Sequence, residues 1–206
     1  MRGRGPTIVK LGGSFAFSAH LRDWIVAIAG CAGRVVLVPG GGPFADTVRA
    51  AQAQMGFDGC AAHRMGLLAM EQYGCAIKSL HEKLSLAETP DSIRCGLVDN
   101  RVPVWLSSRM VLDATDIPSS WDVTSDSLAA WLAGKIGAER LLLVKHVESA
   151  CGTQRAADLT ARGIVDKAFG SFLAASGVPA FILGSTDHVA VTCLLSGESV
   201  GIRIIA

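Results

Sequence analysis

Apolar residues in this chain fall into short continuous runs, separated by stretches in which they recur every three or four positions. Thr7–Lys10 and Arg34–Val38 are β-branched runs closed by glycine clusters, and each predicts a strand entering a tight turn. Between them, Leu21, Trp24, Ile25 and Ile28 keep helical spacing through His20–Gly30, which stops at glycine. After Gly40-Gly41-Gly42, Pro43–Met55 sets proline at a first helical position ahead of helix-forming residues. Met65, Leu68, Ala69, Gln72 and Tyr73 predict one long or broken helix over His63–Ser85, and Val102–Leu106 predicts a strand.

The alternation continues with a helix over Thr124–Lys135, a strand over Arg140–Lys145 and a helix over Asp166–Ser176. A strand over Ala180–Leu183, a helix over Asp187–Leu195 and a closing strand over Val200–Ile205 follow. Continuous apolar strands are buried on both faces. The expected fold is therefore α/β: a three-layer αβα sandwich around a mainly parallel sheet. A length of 206 residues predicts a single domain over 1–206. Two lobes are expected within it, about 1–120 and about 121–206, because the pattern loosens between Ser107 and Trp121, around Pro118.

Composition narrows the classes. Half the residues are hydrophobic and 18% are charged, which is enough apolar surface to exclude disorder. Nineteen Lys and Arg against eighteen Asp and Glu give a net charge of +1, unlike a nucleic-acid binder. Apolar runs such as Trp24–Ala29 fall far short of the ~20 residues that span a bilayer, so no membrane partner is expected. Arg2 and Arg4 lead directly into a strand rather than a leader segment, and a cytoplasmic location is expected. The cysteines (Cys31, Cys60, Cys75, Cys95, Cys151, Cys193) form no C-x-x-C pair and read as reduced, mostly buried small hydrophobes. The five histidines show no ligand spacing, so no protein-held metal is expected.

Glycine-bearing turns follow three of the predicted strands: Lys10-Leu11-Gly12-Gly13-Ser14, Pro39-Gly40-Gly41-Gly42-Pro43 and Gly184-Ser185. Ligands of open α/β sheets gather at the carboxyl ends of strands, and glycine there lets backbone N–H groups approach an anion. The turns match neither G-x-x-x-x-G-K-[ST] nor G-x-G-x-x-G, which disfavours P-loop enzymes and dinucleotide oxidoreductases.

Val9-Lys10-Leu11-Gly12-Gly13-Ser14 and Val38-Pro39-Gly40-Gly41-Gly42-Pro43-Phe44-Ala45-Asp46 resemble the amino acid kinase superfamily. Thr124-Ser125-Asp126-Ser127, Gly163-Ile164-Val165-Asp166-Lys167 and Gly197–Ile204 continue the resemblance, which covers roughly residues 7–205. Ala62-His63-Arg64-Met65, Ala69–Gly74, Val104-Trp105-Leu106 and Ser120–Ser127 are most similar to its methanofuran-biosynthesis branch, kinases of (5-(aminomethyl)furan-3-yl)methyl phosphate.

That resemblance implies ATP with Mg²⁺, a small phosphorylated substrate and a homo-oligomer. It casts Lys10 as a cation on the β/γ-phosphates, Lys167 as a second one, and Asp126 as the carboxylate that orders both. Gly12, Gly13 and Ser14 would give N–H donors to ATP, with Lys145 and Gly184 also on the nucleotide side. Gly40, Gly41 and Gly42 would hold the acceptor. His63 and Arg64 would touch it, Trp121 or Trp105 would stack on its ring, and Asp122 would pair with its aminomethyl cation. Plainer readings stand beside these: a dipole role for Asp126, a surface role for Lys167, and packing roles for His63, Trp105 and Trp121.

One stretch departs from the family pattern. Lys145–Gly152 replaces an Asp-x-x-Gly-Val-type turn, which leaves the adenine site and Lys145 undefined. Two other readings stay open: an isopentenyl phosphate or nucleoside monophosphate kinase, and a non-catalytic nucleotide-binding storage or regulatory protein. Pro39, where the isopentenyl type carries histidine, counts against the first of these.

Overall fold

β1 (Thr7–Leu11) and β2 (Val35–Pro39) are buried along their whole length. They pair in parallel from Thr7 against Val35 to Leu11 against Pro39. The structure, a computed structural model, describes residues 5–148, 151–195 and 201–206. The expectations placed on Arg2 and Arg4, Ser149-Ala150 and Gly197–Val200 lie outside those residues, as does the side chain of Cys193.

The first half continues through α1 (Leu21–Ala29), α2 (Gly42–Met55), α3 (Gly59–Ser79), β3 (Leu84–Ala87), α4 (Pro90–Val98), β4 (Val102–Trp105) and the single turn α5 (Ser108–Val111). The second half holds α6 (Ser125–Ile136), β5 (Arg140–Val144), β6 (Gly152–Arg155), α7 (Ala156–Ala161), α8 (Phe169–Ser176), β7 (Ala180–Leu183), α9 (Ala190–Leu195) and β8 (Ile202–Ile205). The eight strands run in the order β3-β4-β2-β1-β5-β7-β8-β6. All pairs are parallel except β7 with β8.

Strand alternation divides the core in two. Ile8, Leu141 and Leu143 face a cluster built with Leu128 and Leu132 of α6 and Phe169 and Leu173 of α8. Val9, Leu11, Leu142 and Val144 face the other, with Trp24, Ile25 and Ile28 of α1 and Tyr73 and Ile77 of α3. The three-layer αβα architecture follows. No helix among the described residues is long and apolar enough to cross a membrane.

The structure corrects several sequence expectations. The helix expected over His63–Ser85 begins earlier, at Gly59, because Asp58 caps it by accepting from Ala61 N–H at 2.7 Å. It stops at Ser79, and Leu84 and Ser85 belong to β3, a strand hidden by apolar spacing that also fits a helix. The short edge strand β6, and α4, α5 and α7, were not foreseen. Cys31 is buried, but Cys60, Cys75, Cys95 and Cys151 are exposed, so burial of the cysteines does not hold.

The chain makes β1 and β2, then β3 and β4 on one side, and crosses back to lay β5 on the other side of β1. The gap between β1 and β5 is the point where strand order reverses, where crevices open in such sheets.

Candidate active site

Lys10 lies one residue before the end of β1 and, by alternation, on the same face as Ile8, under α6. Lys145 follows directly on the last residue of β5. Asp126 occupies the first turn of α6. Lys10 Nζ is 2.8 Å from Asp126 Oδ1, and Lys145 Nζ donates to Oδ2 at 2.6 Å. The three side chains are only 5%, 5% and 15% exposed, for Lys10, Asp126 and Lys145 in turn. Burial alone would raise the Asp126 pKa, but the two ammonium groups outweigh it and bring it down to about 2. Burial first, and then the charge of Lys10, holds Lys145 at about 8 despite Asp126 beside it.

Asp126 is free for the lysines because another carboxylate caps α6. Asp166 Oδ2 accepts from Thr124 N–H at 2.9 Å, Thr124 Oγ1–H at 2.8 Å and Ser127 N–H at 3.0 Å, while Ser127 Oγ–H donates to Oδ1. The dipole role open to Asp126 from its position is thus filled by Asp166.

Lys167 points elsewhere. Its Nζ pairs with Asp122 Oδ1 at 2.9 Å, with side chains 77% and 55% exposed. The expected grouping of Lys10 and Lys167 on Asp126 is therefore replaced by Lys10 and Lys145. Asp166 and Lys167 are neighbours whose side chains leave the backbone in different directions, and the carboxylate takes the inward one.

The two glycine turns interlock beside this centre. A Cβ on Gly13 would fall 2.2 Å from Gly42 N, and one on Gly40 would fall 2.4 Å from Gly13 N, so the turns touch backbone to backbone. Gly40 N–H already donates to Leu11 O at 2.9 Å, which gives Gly40 a packing role rather than a donor role. Gly184 N–H is likewise engaged, by Asp187 Oδ2 at 2.7 Å.

Gly13, Ser14, Gly41 and Gly42 form one wall of a cleft of about 260 Å³. Leu67, Met70, Val123 and Leu128 add apolar surface, and His63 adds a ring whose pKa burial depresses. Trp121 lines the cleft, held by a 2.7 Å bond from its Nε1–H to Gln52 Oε1. Gly66 lies under its indole, where an added Cβ would sit 3.3 Å from the ring.

Two expected contacts change identity. Arg64 is exposed and does not line the cleft. Arg49 does, with its guanidinium 4.5 Å over the Trp121 ring. Asp122 also stays outside. The carboxylate lining the cleft is Asp46, at its exposed rim, which accepts from Arg49 at 3.0 Å. Trp105 is fully buried against Trp131, with centroids 6.3 Å apart, and is core. The sequence held a signal for Asp46 and Arg49: they stand one and two turns into α2, on the face that starts at the glycine triplet.

The model of the amino acid kinase family matches residues 5–149. The chain belongs to the amino acid kinase family. It is 23% identical over 145 residues to [5-(aminomethyl)furan-3-yl]methyl phosphate kinase of Methanocaldococcus jannaschii, an alignment covering 68% of this chain and 66% of that relative. The chain therefore spans just under two thirds of that relative's length. The uridylate kinase of Archaeoglobus fulgidus superposes with a TM-score of 0.73 at 17% identity, covering 97% of this chain and 100% of that one. The UMP kinase of Bacillus anthracis gives 0.70 at 15% identity, covering 97% and 95%. At such identities these solved structures share the amino acid kinase fold.

A cavity of about 420 Å³ begins two residues beyond Lys145, with Val147, Leu159, Ile164, Ile182 and Ile202 as apolar walls and Glu148, Gln154 and Arg162 as polar ones. Among the described residues no group of three or more His, Cys, Asp or Glu could hold a metal ion.

Proposed function

We propose that this chain transfers the γ-phosphoryl group of ATP to the phosphate of a small, flat, cationic monoester, of which (5-(aminomethyl)furan-3-yl)methyl phosphate is the best-supported example. One observation carries the reading. A buried ammonium–carboxylate centre and an aromatic-walled cleft meet across the interlocked Gly13 and Gly42 turns. The name of the Methanocaldococcus jannaschii relative supports the choice of acceptor.

Phosphoryl transfer asks a protein for alignment and for charge neutralisation. Lys10 faces the nucleotide's β/γ-phosphates from the end of β1, with the Gly12–Ser14 turn as a backbone donor surface. Gly41 and Gly42, at the start of a 14-residue helix, face the acceptor phosphate with its N-terminal N–H groups. The attacking oxygen belongs to a phosphate already ionised near neutral pH, so no general base is required. His63, kept largely neutral by burial, serves as a hydrogen-bonding group rather than a cation. The cavity beyond Lys145, with apolar walls and polar Gln154 and Arg162, is where we place the nucleotide base. The donor set fits Mg²⁺ only as an ion carried on the nucleotide phosphates and water, where it would neutralise oxygen charge.

The test is ADP release against a panel: the furan phosphate, its unphosphorylated alcohol, isopentenyl phosphate and UMP. Turnover with the furan phosphate and none with the alcohol is expected. Preference for the alcohol would overturn the phosphate-acceptor reading, and preference for UMP or isopentenyl phosphate would overturn the acceptor.

A further inference from the structure

The buried centre contains two ammonium groups and one carboxylate. Counting groups within ion-pairing distance, Lys10 and Lys145 share Asp126, and the cluster carries one residual positive charge in a water-poor setting. The next carboxylate, Asp166, accepts from Thr124 and Ser127 at the head of α6. Asp166 also attracts Lys145, but from beyond ion-pairing distance, so the buried pair of ammonium groups still favours a further anion close by. The surroundings indicate which anion. A Cβ on Gly12 would lie 3.4 Å from Val144 O, so the Gly12–Ser14 turn abuts the last residue of β5, immediately before Lys145. Lys10 pairs across the sheet with Leu143, and Leu11 with Val144, so both lysines leave the sheet at the β1–β5 reversal.

We propose that Lys145, not Lys167, supplies the second cation to the terminal phosphate of the bound nucleotide. The proposal rests on the kinase reading above and deepens it. Lys167 has a partner of its own at the surface, and an exposed pair of that kind is neither desolvated nor directed at the β1–β5 gap. Lys145 stands directly after the last residue of β5, so the second cation comes from the end of that strand. In the step itself, the bond from the γ-phosphorus to the β–γ bridging oxygen breaks, and its electron pair stays on ADP. A bond forms from the γ-phosphorus to an oxygen of the acceptor phosphate. Charge therefore builds up on both flanks of the phosphorus, and Lys10 and Lys145, held by one carboxylate, can neutralise it without moving apart.

Calorimetric binding of ADP and of AMP-PNP, with Mg²⁺, tests this without an acceptor. Wild type and Lys167→Met should favour AMP-PNP over ADP by a similar ratio. Lys145→Met should lose about 10-fold or more of that preference while holding ADP within about threefold, because only the terminal phosphate loses its partner. Lys145→Arg, which keeps the charge, should recover part of it and also serves if the Met variant folds poorly. Retained preference in Lys145→Met, loss of preference in Lys167→Met, or a wild type that binds neither nucleotide would each overturn the proposal. So would equal weakening of both nucleotides by Lys145→Met, which is what a purely structural tether gives. Lysine-dependent binding with no turnover on any acceptor would instead leave Lys145 in place and sink the acceptor reading.

Discussion

Asp126 and Asp166 divide the N-terminus of α6 between them: Asp166 takes the hydrogen-bond donors of Thr124 and Ser127, and Asp126 takes Lys10 and Lys145. Without Asp166, two donor-bearing residues of the first turn would lose their acceptor in a half-buried setting. Asp166→Ala should therefore lower stability by about 2 kcal/mol, the scale of a lost cap with charge-assisted bonds. Lys167→Ala, which removes only an exposed ion pair, should change it by less than about 0.5 kcal/mol. Urea denaturation of both variants decides this, and equal effects would remove the distinction.

Asp126 should leave a signature at acid pH. In the unfolded chain it titrates at its ordinary value of 3.8, and in the folded chain at about 2. Its share of the stability is complete above about pH 4 and is lost as pH falls through about 2. The gap in stability between wild type and Asp126→Asn should shrink by roughly 2 kcal/mol over that window, while turnover at neutral pH falls about 10²-fold or more. A gap that stays constant with pH would place Asp126 outside the lysine pair.

Lys145 predicts the opposite limb. Its ordinary value is 10.5, and the folded value of about 8 means the unfolded chain alone holds that proton between the two. This group therefore makes stability rise with pH from about 8 to about 10.5. Lys145→Met should lack that rise, which paired denaturation curves at pH 7.5 and 10 will show. Lys10 and Asp126 flank the group and Asp166 adds a weaker attraction, so the comparison is best made on a background that retains all three.

Much of this centre was legible in the sequence, for a physical reason. A lysine ending a buried strand beside two glycines, and an aspartate opening a helix, are costly to bury unless they meet. The side on which the second lysine stands was not legible. Asp166-Lys167 reads as a helix start whichever neighbour points inward, and only the positions of Thr124 and Ser127 settle it. Arg49 and Asp46 were hidden in the same way. Helix spacing puts them on one face of α2, but that this face looks at Trp121 depends on where residues 56–121 return. β3 was misread because Leu84 continues a helical apolar spacing past the true stop at Ser79.

Arg49 and Arg64 separate acceptor binding from plain surface charge. Both are exposed, but Arg49 lies over Trp121 at the rim of the cleft, whereas Arg64 does not line it. Arg49→Ala should raise the acceptor KM about 10-fold or more through lost charge and a looser indole, with the ATP KM little changed. Arg64→Ala should be near neutral. Steady-state kinetics in both substrates would reverse the assignment if the two variants exchanged behaviours.

The acceptor's cation offers the sharpest test of specificity. A furan monophosphate with an aminomethyl group presents a flat ring, a dianion and one ammonium. The cleft offers Trp121, the Gly41–Gly42 donors with Arg49, and one carboxylate, Asp46. Asp122 is the competing carboxylate, but it is tied to Lys167 outside the cleft. Replacing the substrate's aminomethyl group with methyl should leave Asp46, 77% exposed, facing only Arg49 and lower kcat/KM by about threefold, the scale of an exposed ion pair. Asp46→Asn should lower kcat/KM for the amine and narrow the difference between the two substrates, whereas Asp122→Asn should preserve it. If Asp122→Asn erases the discrimination and Asp46→Asn keeps it, the ammonium binds Asp122, outside the cleft, and the assignment to Asp46 falls. If wild type treats the two furans alike, no carboxylate of this cleft reads the amine.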